Sequence, residues 1–170
     1  YRKHPFLRLH LQSHDDSDIV EMIRRGEADL GIVPPSQVPN EMDSKLLKPD
    51  RYYLVGCAKW RGRKLSDILA EERVIDFYEP DPMTRNYLKE FGLLGEMKRE
   101  RLYVNENEAL VRFFRAGVGF GTLSESVAAP YLKDGSLIAL NRGQVLEDPL
   151  ALVWYPRKAP YFQDLVKAVK

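Results

Sequence analysis

Apolar and polar side chains alternate from Phe6 to Gln12, with Leu7, Leu9 and Leu11 on one side and Arg8, His10 and Gln12 on the other. That period of two predicts a strand with one apolar face. The period then changes. Asp15, Asp16 or Ser17 can cap a helix that runs through Ile19, Val20 and Ile23. Arg24 and Arg25 fall in its last turn, where cations suit the carbonyl end of the helix dipole, and Gly26 stops it. Ala28 to Val33 reads as a short strand ended by Pro34-Pro35. Strand, helix and strand within about thirty residues predict a βαβ unit with a parallel pair.

Further on, Leu46 to Lys48 reads as a short strand, and Arg51 to Ala58 as a stronger one, rich in aromatic and β-branched residues. Ser66 is the expected cap of a short helix, and Val74 to Phe77 forms a strand. Asp81-Pro82 starts a helix that ends at Gly92. Leu102 to Val104 is a strand, followed by Asn105 as cap with Glu108 three residues on. Ala109, Leu110, Phe113 and Phe114 then make one apolar stripe. A strand from Val118 to Leu123, a helix from Ser124, strands at Leu137 to Leu140 and Leu150 to Tyr155, and a helix from Pro160 to Val169 complete the pattern. Alternation of this kind predicts an α/β fold with largely parallel sheet. No repeat or long linker divides the chain. The expected organisation is two lobes, residues 1–58 with 150–170 and residues 65–148, joined by crossovers near 58–64 and 148–156.

Composition narrows the function classes. Twenty-six basic and 25 acidic side chains leave a formal charge of +1, which argues against a surface dedicated to nucleic acid. One cysteine, Cys57, excludes an internal disulfide and is most simply a small core residue. No apolar run reaches membrane-spanning length and no secretory signal opens the chain, so a cytoplasmic location is expected. Tyr1 stands first, and Tyr1 to Pro5 reads as the frayed end of a helix, so the chain is expected to be part of something longer.

Catalytic chemistry finds few residues. The histidines, His4, His10 and His14, all lie near the start, and the last two span a strand and a loop instead of one helix face. Arg61, Arg63 and Lys64 read as a solvated basic crossover. Gly117-Val118-Gly119-Phe120-Gly121 precedes a strand, so it is not a dinucleotide fingerprint. No catalytic residue, metal or cofactor is expected.

Four segments carry a family resemblance. They are His4-Pro5 before an alternating strand, Ile23-Arg24-Arg25-Gly26-Glu27-Ala28-Asp29-Leu30-Gly31-Ile32, Leu65-Ser66-Asp67-Ile68, and Ala116-Gly117-Val118-Gly119-Phe120-Gly121-Thr122-Leu123-Ser124-Glu125-Ser126-Val127. In order and spacing the chain resembles the effector-binding domain of LysR-type transcriptional regulators over essentially its whole length. The resemblance implies two Rossmann-like lobes, similar to periplasmic binding proteins, with a small-molecule inducer in the cleft between them. It further implies a homodimer or tetramer, and DNA contact through an N-terminal winged helix–turn–helix that this chain does not include. The first strand of such domains and most of the following helix are likewise expected outside it. Ser124 stands where proline is common in the family.

The expected ligand residues lie at carboxyl ends of strands, the edge that faces the crevice in open α/β sheets. Asp15, Asp16 and Ser17 follow the first strand; they are either ligand contacts or plain helix caps. Pro34 closes the second. Tyr78 can stack on or hydrogen-bond a ligand with Glu79 orienting its polar group, or Glu79 to Pro82 is only a rigid loop. Asn105 opens the amphipathic helix and Thr122 sits near the end of the glycine-rich strand, where a hydroxyl replaces the usual aliphatic residue. The rival readings are a transport solute-binding protein and a prephenate dehydratase-like enzyme, both on the same scaffold.

Overall fold

A computed structural model describes residues 4–14, 16–96, 99–156 and 160–169, with residues 16, 17 and 160 described by their backbone alone. The chain divides into two compact units, Tyr1–Pro49 with Asp148–Lys170, and Asp50–Glu147.

In the first unit, helix α1 (Asp16–Arg25) is followed by strands β1 (Gly31–Val33) and β2 (Asp43–Leu46). Strand β9 (Ala151–Trp154) lies between β1 and β2 and is antiparallel to both, with Gly31 opposite Val153 and Lys45 opposite Leu152. Successive β9 side chains point to opposite faces. Val153 joins Ile23, Val33 and Met42 beneath α1, while Leu152 and Trp154 pack with Phe162 and Val166 of helix α6 (Pro160–Ala168). All four β9 residues are therefore buried. Lys45 ties sheet to helix by donating to the carbonyls of Val166 (3.0 Å) and Val169 (2.7 Å).

The second unit is built on strand β3 (Asp50–Cys57), which is antiparallel to β6 (Gly121–Ser124) on one side and β7 (Leu137–Ala139) on the other; β8 (Val145–Asp148) also pairs with β3. Leu54 and Val55 point to opposite faces of this sheet. Leu54 packs with Trp60, Ile68, Tyr87, Leu88 and Phe120, under helices α2 (Leu65–Glu71) and α3 (Met83–Glu90). Val55 packs with Leu110, Val111, Phe114 and Ala128, under α4 (Asn107–Ala116) and α5 (Glu125–Lys133). Strands β4 (Ile75–Asp76) and β5 (Leu102–Tyr103) pair in parallel, and Val74 makes a parallel bridge to Phe120.

Several expectations need correction. The sheets are mostly antiparallel, and among the described residues the β4–β5 pair and the Val74–Phe120 bridge are parallel. Residues 7–14 form no strand, so the expected βαβ unit is absent and β1 pairs with β9 instead. Alternation supplies a face but not a backbone partner. Here most of the segment is uncovered, with Leu7 half-buried but Phe6 95%, Leu9 46% and Leu11 88% exposed. The cap of α4 is Glu106 and not Asn105, and α2 starts after Lys64, leaving Ser66 inside the helix. The grouping of strands also differs from that read in the sequence: β3 pairs with β6 and β7, so residues 50–57 belong with the second unit. Cys57 is buried in its core, as expected of a small apolar side chain.

Two glycines make the parallel segment possible. A Cβ on Gly119 would stand 2.3 Å from the Arg73 carbonyl oxygen, and one on Gly121 2.4 Å from that of Ile75. Backbone cannot give way as a flexible side chain can. Gly119→Ala and Gly121→Ala are each expected to destabilise the chain by about 1–3 kcal/mol in urea unfolding. Gly95→Ala, with open space around its Cβ, should stay within about 0.5 kcal/mol. Equal stability of G121A and G95A would refute the close-approach argument.

Candidate functional site

Because β4 lies in parallel between β5 and the segment through Phe120, three carboxyl ends reach the same edge of the second unit. Asp76, Tyr78 and Glu79 follow or end β4, Asn105 follows β5, and Thr122 lies two residues beyond Phe120. The backbone ladder there is close, with Ile75 N–H donating to Phe120 O (2.8 Å) and Val104 N–H to Asp76 O (2.9 Å).

At its centre is a buried carboxylate, Asp76, only 4% exposed. Arg101 donates to it through Nε (2.6 Å) and forms an ion pair with it through Nη2. The same guanidinium donates to the carbonyls of Asp81 (2.8 Å) and Glu79 (3.4 Å), so it fixes the loop that carries Tyr78 and Glu79. Asp81 closes that loop: its carboxylate accepts from the backbone N–H of Met83 (2.9 Å) and Phe77 (3.3 Å) at the start of α3.

The Thr84 hydroxyl, also buried, acts on Asp76 so as to favour its ionised form. Its oxygen accepts the backbone N–H of Thr122 (3.1 Å) and lies 3.0 Å from the Thr122 hydroxyl. An ionised Asp76 draws the Thr84 hydroxyl hydrogen toward itself, and in that arrangement the Thr122 hydroxyl donates to Thr84. The Thr122 oxygen then keeps its lone pairs for a donor from outside. Nor is an anion invited elsewhere on this edge. The two oxygens of Glu106 accept from the N–H groups of Glu108 (2.8 Å) and Ala109 (2.6 Å) and occupy the positive end of α4. Glu79, Glu106 and Glu108 are exposed, and the local cation, Arg101, is already paired. The arrangement suits a ligand that brings hydrogen-bond donors.

The structure thus brings Tyr78, Glu79, Asn105 and Thr122 to one edge. Tyr78 is 45% exposed and meets Phe77 edge-on at 6.1 Å. Asn105 is exposed, ahead of the α4 cap. Pro34 is half-buried after β1, in the first unit. Asp16 and Ser17 lie in the first turn of α1, and Asp15 falls outside the described residues. Asp76, Thr84 and Arg101 were not singled out from sequence. The available signal was Asp76 itself, a charge within the apolar run Val74 to Phe77.

Burial raises the Asp76 carboxyl pKa above the ordinary aspartate value, outweighing the Thr84 and Arg101 contacts that oppose it. A raised folded-state value means that folding favours the protonated acid. The contribution to stability is therefore fully present below the unfolded pKa and is lost as pH rises through the folded one. Asp76→Asn cannot ionise. Urea unfolding from about pH 4 to about pH 6 should show wild-type stability falling relative to that of D76N. Parallel pH profiles would contradict this assignment.

The whole chain, residues 1–170, matches the model of the LysR substrate binding domain. Full-length LysG from Corynebacterium glutamicum with bound effector Arg has a similar fold, with a TM-score of 0.77 at 22% identity over 99% of this chain and 59% of that one. ArgP from Mycobacterium tuberculosis matches at 0.77 and 23% identity over 93% of this chain and 57% of its own. The OxyR2 regulatory domain from Vibrio vulnificus, a cysteine-to-serine mutant, matches at 0.72 and 21% identity over 99% and 83%. Against LysG and ArgP, then, the chain spans less than three fifths of the relative's length. No curated protein matches it. Among the described residues, no helix is long and apolar enough to cross a membrane. With the α/β fold and the whole length both accounted for, the chain belongs to the LysR substrate-binding domain family.

Proposed function

We propose that this domain binds a small, donor-bearing metabolite as the effector of a cytoplasmic transcriptional regulator and leaves it unchanged. The observation that carries the reading is the Thr84–Thr122 hydroxyl pair at the carboxyl edge of the second unit, where open α/β sheets take ligands, and in which Thr122 offers an acceptor. Tyr78 supplies a half-exposed ring beside it and Glu79 a carboxylate. Inclusion of Asp15, Asp16, Ser17, Pro34 and Asn105 in the same ligand site rests on the family resemblance. The LysG relative carries bound arginine, a ligand rich in donors, which is the chemistry this edge suits.

DNA contact in this reading belongs to an N-terminal winged helix–turn–helix outside this chain. Effector binding changes regulation by favouring one assembly state over another, since a ligand with equal affinity for both shifts nothing. The assembly is a homodimer or tetramer, and the uncovered Phe6, Leu9 and Leu11 side chains are the surface we assign to it. Leu9→Asp with Leu11→Asp should lower the mass measured by light scattering from that of an oligomer to that of a monomer. A monomeric wild type at high concentration would sink the assignment.

Ligand class is tested by thermal shift against amino acids including arginine and lysine, aromatic acids and sugar acids, because a ligand of the native state raises its apparent stability. Selective stabilisation by an amine-bearing compound is expected, and Thr122→Val should weaken that binding by about tenfold. Stabilisation by aromatic acids alone, or indifference to T122V, would refute the proposed site. Chemical turnover of the bound compound would favour the enzyme reading instead.

A further inference from the structure

The second unit holds another recess, on the edge of the sheet away from β6. Its volume is about 650 Å³, within the range of small-molecule pockets. Trp60, Leu65, Ile68, Ile138 and Leu140 give it an apolar floor, and Arg61, Arg63, Lys64 and Arg142 stand on its walls, with no carboxylate among the lining residues. From this juxtaposition we propose a second ligand site, for an organic anion with a flat apolar body.

The floor is preformed. Trp60 sits directly over Gly56, where a Cβ would meet its ring at 2.8 Å, so a residue with no side chain is what lets the indole lie flat against β3. The wall opposite is also held in place. Buried Tyr87 donates to the Gln144 carbonyl (2.8 Å) and accepts from the Asn141 amide (3.3 Å). Between those anchors, Asn141 and Arg142 take left-handed backbone at φ 48° and 56°, ahead of Gly143 at 73°. Left-handed backbone is unfavourable for arginine, and a residue kept there at some cost in strain is a recognised mark of a functional turn.

The charges are available. Arg63 is held over the Trp60 ring at 5.5 Å and paired with Glu71 (2.8 Å) and Glu72 (2.6 Å), so its charge is already answered. Arg61, Lys64 and Arg142 are exposed, and among the described residues none has an ion pair. Asp67, which acts electrostatically on Arg63 from α2, is the other acid of this neighbourhood. Three unpaired cations around a floor on which Leu65 and Ile138 stay half-exposed, backed by Trp60 under Arg63, recognise a carboxylate or phosphate attached to an apolar body. Polarity is opposite to that of the Thr122 edge, so the two sites select different ligands.

The probe is naphthoate, titrated calorimetrically into the full chain, with neutral naphthamide as its uncharged counterpart. Saturable naphthoate binding is expected, with naphthamide weaker by about tenfold or more. The combined Arg61→Gln, Lys64→Gln and Arg142→Gln variant should lose affinity to a similar degree. Arg142→Gly separates binding from folding: it relieves the left-handed backbone, so the chain should be at least as stable while naphthoate binds less tightly. The proposal is overturned by absence of saturable binding, by equal affinity for the amide, or by undiminished affinity in the charge variants. Loss of naphthoate affinity on T122V would place the probe at the other edge and overturn it as well.

Discussion

The second unit depends on a distance too short for a side chain. Gly119 and Gly121 let the segment through Phe120 lie against the carbonyls of Arg73 and Ile75. That contact seats β4 in parallel between β5 and the segment leading into β6, in a unit whose central strand β3 pairs antiparallel with β6 and β7. Parallel neighbours bring their carboxyl ends to one edge; antiparallel neighbours would have separated them. The grouping of Asp76, Thr122 and the residues after β5 is thus a consequence of local strand direction, and strand direction here follows from two missing methyl groups.

Once the edge exists, its polarity is set by one buried carboxylate. Asp76 would be costly to ionise alone, and two groups make it tolerable: the Arg101 guanidinium and the Thr84 hydroxyl. Each contact also organises something else. Arg101 fixes the loop of Glu79 and Asp81, and Thr84 orients the Thr122 hydroxyl. Buried charge is a poor source of stability, but a good source of unique geometry when every partner is committed. Here it leaves one acceptor, on Thr122, uncommitted.

Local features were legible in the sequence and non-local ones were not. The helices around Ile19 to Ile23 and Leu110 to Phe114 follow from apolar stripes at helical spacing, and both were read close to their observed bounds. Pairing partners were less accessible: alternation in Phe6 to Gln12 could not say that no neighbouring backbone would join it, nor that β1 would pair with β9, 120 residues later in the Ala151 register. Arg101 was unreadable for the same reason. Its role comes from meeting Asp76, 25 positions away, and that meeting is created by the β4–β5 pairing. The α4 cap passed from Asn105 to Glu106 because a longer side chain can reach back over two amides, a competition that residue preferences alone do not resolve.

The two edges of the second unit also constrain one another. β3 pairs with β6 on one side, and on the other with β7, which runs into the recess wall; Leu54 lies opposite Thr122 and accepts the Leu140 N–H, and Val55 lies opposite Gly121 and Ala139. A shift of β3 would therefore be felt at both sites. Thermodynamic linkage requires any such effect to be mutual: a ligand at one edge that alters affinity at the other is altered by it to the same extent. Opposite polarity prevents the two ligands from competing for one place, so the shared strand is the route through which coupling can act. The tight packing of Leu54 with Tyr87 and Phe120 in one buried cluster makes β3 stiff, so a displacement at one end is carried along the strand instead of being absorbed locally.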